Sequence, residues 1–179
     1  MYYGTHYLSP VGEIYLACDE ENLIGLWIEN QKYLDKTMPE TIVEKPDMPP
    51  LQKAVQWLDS YFAGKRPELS ELSLAPVGSA FQQTVWKILT EIPYGQLTTY
   101  GAVAGETARR LGRKRMSAQA VGGAVGHNPI SIIIPCHRVV GAGGSLTGYA
   151  GGIDKKILLL THEGVDMTKL SVPKKGTAL

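Results

Sequence analysis

Two cysteines occur in this chain of 179 residues, in unlike surroundings. Cys18 ends the alternating run Glu13-Ile14-Tyr15-Leu16-Ala17-Cys18 and reads as a small core residue. Cys136 lies in Pro135-Cys136-His137-Arg138-Val139-Val140, directly after the apolar run Ile130 to Ile134. Only the thiolate of a cysteine is a good nucleophile, and cationic or imidazole neighbours raise its share, so a lowered pKa is expected for Cys136. Pro135 fixes the backbone ahead of the thiol and holds Ile134 extended, which puts Cys136 at the end of a buried strand. Neighbours on an extended chain face opposite ways, so His137 can serve the thiol only through a bridging water or a turn. A hydrolase pairing Cys136 with the distant His162 is the rival chemistry. The chain has no CxxC or Cys/His cluster, which argues against a zinc site and, with Pro-Cys-x-x-Cys missing, against a base deaminase.

The elements that must hold this segment can be read from periodicity. Ile14 to Cys18 and Leu23 to Ile28 form a hairpin across Asp19-Glu20-Glu21-Asn22, and the charged, proline-bearing stretch from Glu29 to Pro50 reads as a loop. Leu51, Val55, Leu58 and Phe62 share one helical stripe, read as core rather than chemistry, with Gly64 as a left-handed cap. Ser79 and Gln82 make a capping box for a helix carrying Phe81, Val85, Ile88 and Leu89, which Pro93-Tyr94-Gly95 stops. Thr99 caps a helix from Tyr100 to about Arg110. A basic turn follows, with five positive charges between Arg109 and Arg115, and then a slim Ala- and Gly-rich helix from Met116 to Val125. Helix, glycine-containing turn and slim helix is the order of a helix-turn-helix, whose second helix must approach a groove closely.

Charge bears on that reading. The formal net charge is +1, but residues 1–75 sum to −6 and residues 76–179 to +7, a split that fits either one half approaching a polyanion or a solvated basic face. Hydrophobic content of 44% against 20% charged residues is a globular balance that excludes disorder. The N-terminus has neither the basic nor the apolar region of a secretory signal. The uncharged stretch from Met116 to His137 is broken by Gln119, His127, Asn128, Pro129 and Pro135 and does not read as a membrane span. A reducing, cytoplasmic setting is expected.

Eight segments then occur in a telling order: Phe81-Gln82-x-x-Val85-Trp86, Ile92-Pro93-Tyr94-Gly95, Thr99-Tyr100, Ala120-Val121-Gly122, Asn128-Pro129, Ile134-Pro135-Cys136-His137-Arg138-Val139-Val140, Gly148-Tyr149-x-Gly151-Gly152 and His162-Glu163-Gly164. Over residues 77–165 the chain resembles the O6-alkylguanine-DNA alkyltransferases, and residues before 76 are compatible with that family's small sheet-bearing domain. The resemblance implies an α+β fold: a ribonuclease H-like domain over 1–75, a mainly helical, winged-helix-like domain with the helix-turn-helix over 76–170, and a tail over 171–179.

The implied activity is single-turnover transfer of an alkyl group from O6-alkylguanine, and from O4-alkylthymine, to Cys136, with no metal or cofactor. The implied partner is double-stranded DNA, met by a monomer without a membrane. By the same resemblance His137 polarises the thiol through a water and Glu163 orients His137. Tyr100 donates to the base, the N–H of Ala150 reaches O6, Tyr149 walls the pocket, and Gly151 allows close approach. Carbonyls of Cys136 and Val139 accept from the exocyclic amine. Asn128 ties the turn before the active-site segment, and Ser131 and Val125 set pocket size. The target nucleotide must be rotated out of the duplex. Where the family fills the gap with arginine, this chain has Gln119. Arg113, Lys114 and Arg115 are set for phosphates, and Ser117, Ala120, Gly122 and Arg138 complete the DNA-facing set. A lesion-binding relative of the same fold would lack the acceptor cysteine, which is present here.

Overall fold

The computed structural model describes residues 1–174 and shows an α+β protein; of the expected tail over 171–179, residues 175–179 lie outside the described part. The N-terminal half is built on a sheet of order β3-β2-β1-β4. β1 (Tyr3–Ser9), β2 (Gly12–Cys18) and β3 (Leu23–Ile28) run antiparallel in sequence, and β4 (Val43–Glu44) joins β1 in parallel. The expected hairpin is β2–β3. The stretch read as loop, Glu29 to Pro50, contains β4 and a short helix α1 (Leu34–Thr37). Both are too short to leave a periodic signal.

Alternation along β2 sends Ile14, Leu16 and Cys18 to the main core, while Ala17 joins Ile24 and Trp27 in a second cluster on the opposite face. Helix α2 (Pro49–Phe62) covers the first face, but its buried side is rotated from the expected stripe. Leu51, Ala54, Trp57, Leu58 and Tyr61 are buried, whereas Val55 and Phe62 are only partly so. The rotation turns Tyr61 inward.

The second half begins at α3 (Ala80–Thr90), where Ser79 and Gln82 form the capping box as expected. Helix α4 (Tyr100–Arg110), capped by Thr99, and α5 (Ala118–Gly126), capped by Ser117, form the helix-turn-helix. The Ser117 hydroxyl accepts from the N–H of Ala120 at 3.0 Å, so α5 starts two residues later than its composition suggested. A two-stranded parallel pair, β5 (Thr98–Thr99) with β6 (Val139–Val140), and α6 (Ile153–His162) complete the domain.

β3 joins the halves. All six of its residues are buried although it is the sheet's last strand, because its outer edge is covered by chain. The N–H of Leu26 donates to Pro129 O at 2.8 Å, and Ser131 N–H donates back to Leu26 O at 3.0 Å. The segment leading to Cys136 is thereby anchored to the N-terminal sheet, and the sheet loses an exposed edge.

Candidate active site

The run Ile130 to Ile134 is not a strand. After one bridge to Leu26 it coils, with Ile134 N–H donating to Ile130 O at 3.0 Å and Ile132 at φ +70°, a conformation β-branched residues rarely adopt. Asn128 imposes the turn: its Oδ1 accepts from Ile130 N–H at 3.0 Å and its Nδ2 donates to Ile134 O at 2.9 Å. Side-chain bonds of this kind outcompete the extended form that β-branching favours. Cys136 therefore opens a 3-10 turn (Cys136–Arg138) rather than ending a strand. Successive side chains on such a turn diverge by about 120° instead of pointing apart, which leaves Cys136 and His137 within reach of one bridging water, their Sγ and Nδ1 making no direct hydrogen bond.

Behind the thiol stands a saturated carboxylate. Glu163 Oε1 accepts from His137 Nε2 at 2.7 Å, Arg138 Nη2 at 2.9 Å and Tyr61 OH at 2.8 Å; Oε2 accepts from Arg138 Nε at 2.9 Å and Gly95 N–H at 3.2 Å. Burial opposes the charge on Glu163, but His137 and Arg138 outweigh it and hold the carboxyl well below its ordinary range. A carboxylate only accepts, so His137 carries its proton on Nε2 and leaves Nδ1 as a bare base. Burial also lowers the His137 pKa and keeps the ring neutral. Nδ1 is buried without a protein partner; among the described residues Tyr149 OH alone shares that condition. Gly95 has φ +74°, and a Cβ there would lie 3.0 Å from Glu163 O, so the turn read only as a helix stop also brings an N–H to the relay.

The thiol is 3% exposed, and burial pushes its pKa up, contrary to the expected lowering. Asn128 and Lys156 work against that rise without reversing it. The net effect favours the protonated thiol. Cys18 is buried too, its pKa pushed up to about 11 by burial first, then by Asp19. The rival base is committed elsewhere, since His162 Nε2 is 2.7 Å from Tyr61 O.

Lys156 is the site residue sequence reasoning missed most plainly. It is fully buried, donates to Val139 O at 2.5 Å and Thr147 O at 3.0 Å, and its pKa falls to about 8 through desolvation. Its ammonium lies 5.9 Å from the centre of the Tyr100 ring. The signal was a lysine at i+3 from Ile153 and i−3 from Leu159, within the apolar stripe of α6.

The remaining expected residues divide. A cavity of about 290 Å³ is lined by Gly122 and Gly126 of α5, by Gly148, Tyr149 and Ala150, and by Lys32 and Tyr33. A Cβ on Gly151 would lie 2.9 Å from the Tyr149 ring, so glycine there lets that wall close. The Tyr100 hydroxyl donates to Thr147 O at 3.0 Å and Gly148 O at 2.8 Å, so the base it was expected to meet would have to take it from the loop. Val139 O, expected to accept from a base, already accepts from Lys156. Ser131 is a correction: it is 1% exposed, its hydroxyl lies 3.4 Å from Gln31 Oε1, and it does not line the cavity. Arg138 is another, because its guanidinium is spent on Glu163 and Ile92 O and cannot meet a phosphate. Gln119, Ala120, Arg113, Lys114 and Arg115 are exposed on or before α5. Arg109 and Arg110 are paired with Glu106, and Arg110 also with Glu91. No helix among the described residues is long and apolar enough to cross a membrane, and no His/Cys/Asp/Glu group among them could hold a metal.

Fold and site together define a helix-turn-helix protein organised around a buried cysteine with a His–Glu pair behind it. Family models described as 6-O-methylguanine DNA methyltransferase match it twice, the ribonuclease-like domain over residues 1–76 and the DNA binding domain over 80–165. The chain belongs to this family. A relative from Haemophilus influenzae named methylated-DNA--protein-cysteine methyltransferase is 42% identical, with 98% of this chain and 90% of the relative covered. One of the same name from Methanosarcina acetivorans is 44% identical, covering 92% and 99%. Among solved structures, Mycobacterium tuberculosis OGT in complex with DNA is similar at a TM-score of 0.75 and 39% identity, with 94% of each chain covered.

Proposed function

We propose that the protein repairs O6-alkylguanine in DNA by moving the alkyl group to Cys136, once per molecule. The observation that carries this is the buried Cys136 thiol backed by His137, whose Nδ1 has no protein partner while Nε2 is fixed on Glu163. The thiol proton passes through a bridging water to Nδ1, which makes no direct hydrogen bond to the thiol, and Sγ attacks the alkyl carbon opposite O6. As the S–C bond forms the C–O bond breaks, its electron pair leaving with the guanine. Overall the thiol proton ends on the base. Lys156 stabilises the sulfur anion as it develops, and the Tyr100 hydroxyl, which otherwise donates to the glycine loop, turns to the leaving base.

Reaching O6 requires the nucleotide to leave the stack, at a cost of about a few kcal/mol. The base enters at the cavity between α5 and the glycine loop, whose lining does not include Cys136, so that Sγ is reached only when the loop shifts; Gln119 enters the gap, and Arg113, Lys114 and Arg115 hold phosphates. Gln119 can hydrogen-bond to the orphaned cytosine but lacks the charge and planar stacking of arginine. A reaction that depends on a free thiol suits the reducing cytoplasm. The test is intact-mass analysis after mixing with O6-methylguanine DNA. One CH2 gained per molecule on Cys136, and none in Cys136→Ala, is expected; many repaired lesions per molecule would show a turning-over enzyme instead.

A further inference from the structure

The sheet domain supplies one side chain to the relay. Tyr61, on α2, donates to Glu163 Oε1 at 2.8 Å, the oxygen that also accepts from His137 Nε2. Among the described residues, the other donors to this carboxylate all come from beyond residue 90. The ring is held on several sides. It stacks on Trp57 at 5.5 Å between centroids, meets Phe62 edge-on at 5.0 Å and Tyr94 at 6.0 Å, and leans against His162 at 5.0 Å. The carbonyl of Tyr61 is itself bonded to His162 Nε2 at 2.7 Å. A tyrosine that only filled space would not need so fixed a hydroxyl; this one is 1% exposed and aimed at a charged atom from another domain.

We propose that Tyr61 is a positioning residue for the transfer, its hydroxyl fixing the oxygen of Glu163 that orients His137 and limiting that oxygen's pull on the imidazole proton. The proposal rests on the methyl-transfer reading above and gives the acidic sheet domain a part in the chemistry. Burial, followed by the charge of Glu163, keeps the phenol protonated, so it is always the donor. Other titratable or charged groups facing this trio are Cys136 and Arg138 on the same turn, Lys156 and His162 on α6, Tyr94 after α3, and Tyr149 on the glycine loop. Tyr61→Phe leaves all of these and the ring packing in place while removing one donor. The carboxylate then becomes more basic and draws the Nε2 proton more strongly. His137 in turn holds an added proton more tightly and remains charged to higher pH.

The experiment is the pH profile of the single-turnover rate of methyl transfer from O6-methylguanine DNA, for the wild-type protein, Tyr61→Phe and Trp57→Phe, with unfolding midpoints measured alongside. In Tyr61→Phe the acid limb should move up by roughly half a pH unit or more, about threefold in proton affinity. Trp57→Phe, which loosens the stack but keeps the hydroxyl, should lower the midpoint without moving the limb. Superimposed profiles for Tyr61→Phe and wild type overturn the proposal while leaving the transfer reading intact, as does an equal shift in Trp57→Phe. A wild-type protein that takes up no methyl group sinks both.

Discussion

Lys156 offers a quantitative test, because it places an ammonium where water cannot reach it. A fall in pKa from 10.5 to about 8 on folding, with desolvation as the main cause, corresponds to about 3 kcal/mol at 1.36 kcal/mol per pKa unit. The sign follows from the two protonation states. Below about pH 8 the lysine is charged in both folded and unfolded chains, and the fold carries the whole desolvation cost. Above 10.5 it is neutral in both and the cost is gone. Between these limits the stability of the wild-type fold should rise, relative to Lys156→Met, by about 3 kcal/mol.

Cys136 would obscure this. Its raised pKa means that stability is lost as pH climbs past the ordinary thiol value of 9.0, the opposite slope in an overlapping window. The comparison therefore belongs in a Cys136→Ala background, with urea unfolding at several pH values from 7.5 to about 10.5. Near neutrality the methionine variant gains the desolvation energy but strips a donor from Val139 O, at a cost of about 1–3 kcal/mol. Thr147 O keeps Tyr100 as a donor. The two effects nearly cancel, so the decisive quantity is the slope and not the gap at one pH. A gap between the variants that stays flat from pH 7.5 to 10.5 would refute a desolvated ammonium at this position.

Other outcomes follow from the same contacts. Glu163→Gln leaves Arg138 buried without its counter-charge and should cost about 3–5 kcal/mol in chemical unfolding; a loss below about 1 kcal/mol would mean that the pair is solvated. Gln119→Arg should tighten binding to duplex DNA in matched low salt, and equal affinities would remove Gln119 from the gap-filling role. Replacing any one of Arg113, Lys114 and Arg115 with alanine should reduce the slope of log K against log salt by about 0.9, whereas an unchanged slope places that residue off the phosphates.

How far the sequence carried the reading depended on whether the information was local. Two caps were legible: Ser79 and Thr99 act through neighbours three residues on and cap α3 and α4, whereas Ser117, read as lying inside a helix from Met116, turned out to cap α5. The helix-turn-helix followed from them. The Ile130 to Ile134 strand failed because Asn128 overrode β-propensity with side-chain bonds that no apolar pattern encodes. Arg138 looked like a DNA contact because its charge is visible in sequence and its partner Glu163, 25 residues on, is not. Tyr61 was missed for the same reason in stronger form. A small error in helical phase gave the inward place to Phe62, and the contact that makes its hydroxyl matter spans 102 residues.

The site's most unusual residues oppose stability. His137 Nδ1 and Tyr149 OH are buried without protein partners, Ile132 sits in a strained conformation, and Lys156 keeps a desolvated charge. The ammonium costs about 3 kcal/mol and the left-handed Ile132 about 1–3 more. Such a sum is a large part of the ~5–15 kcal/mol by which domains are stable. A thiol that reacts once has no need of cheap turnover, but it must stay protonated and unreactive until a base arrives, and burial serves that end. The sheet domain makes the burial tolerable: β3 takes up the edge of the segment before Cys136, and α2 covers the relay with Tyr61. It follows that weakening the β3 contact, for example by Leu26→Pro, which removes the N–H donated to Pro129, should impair transfer more than it impairs DNA binding by α5. A variant that lost both in proportion would show only that the whole chain unfolds.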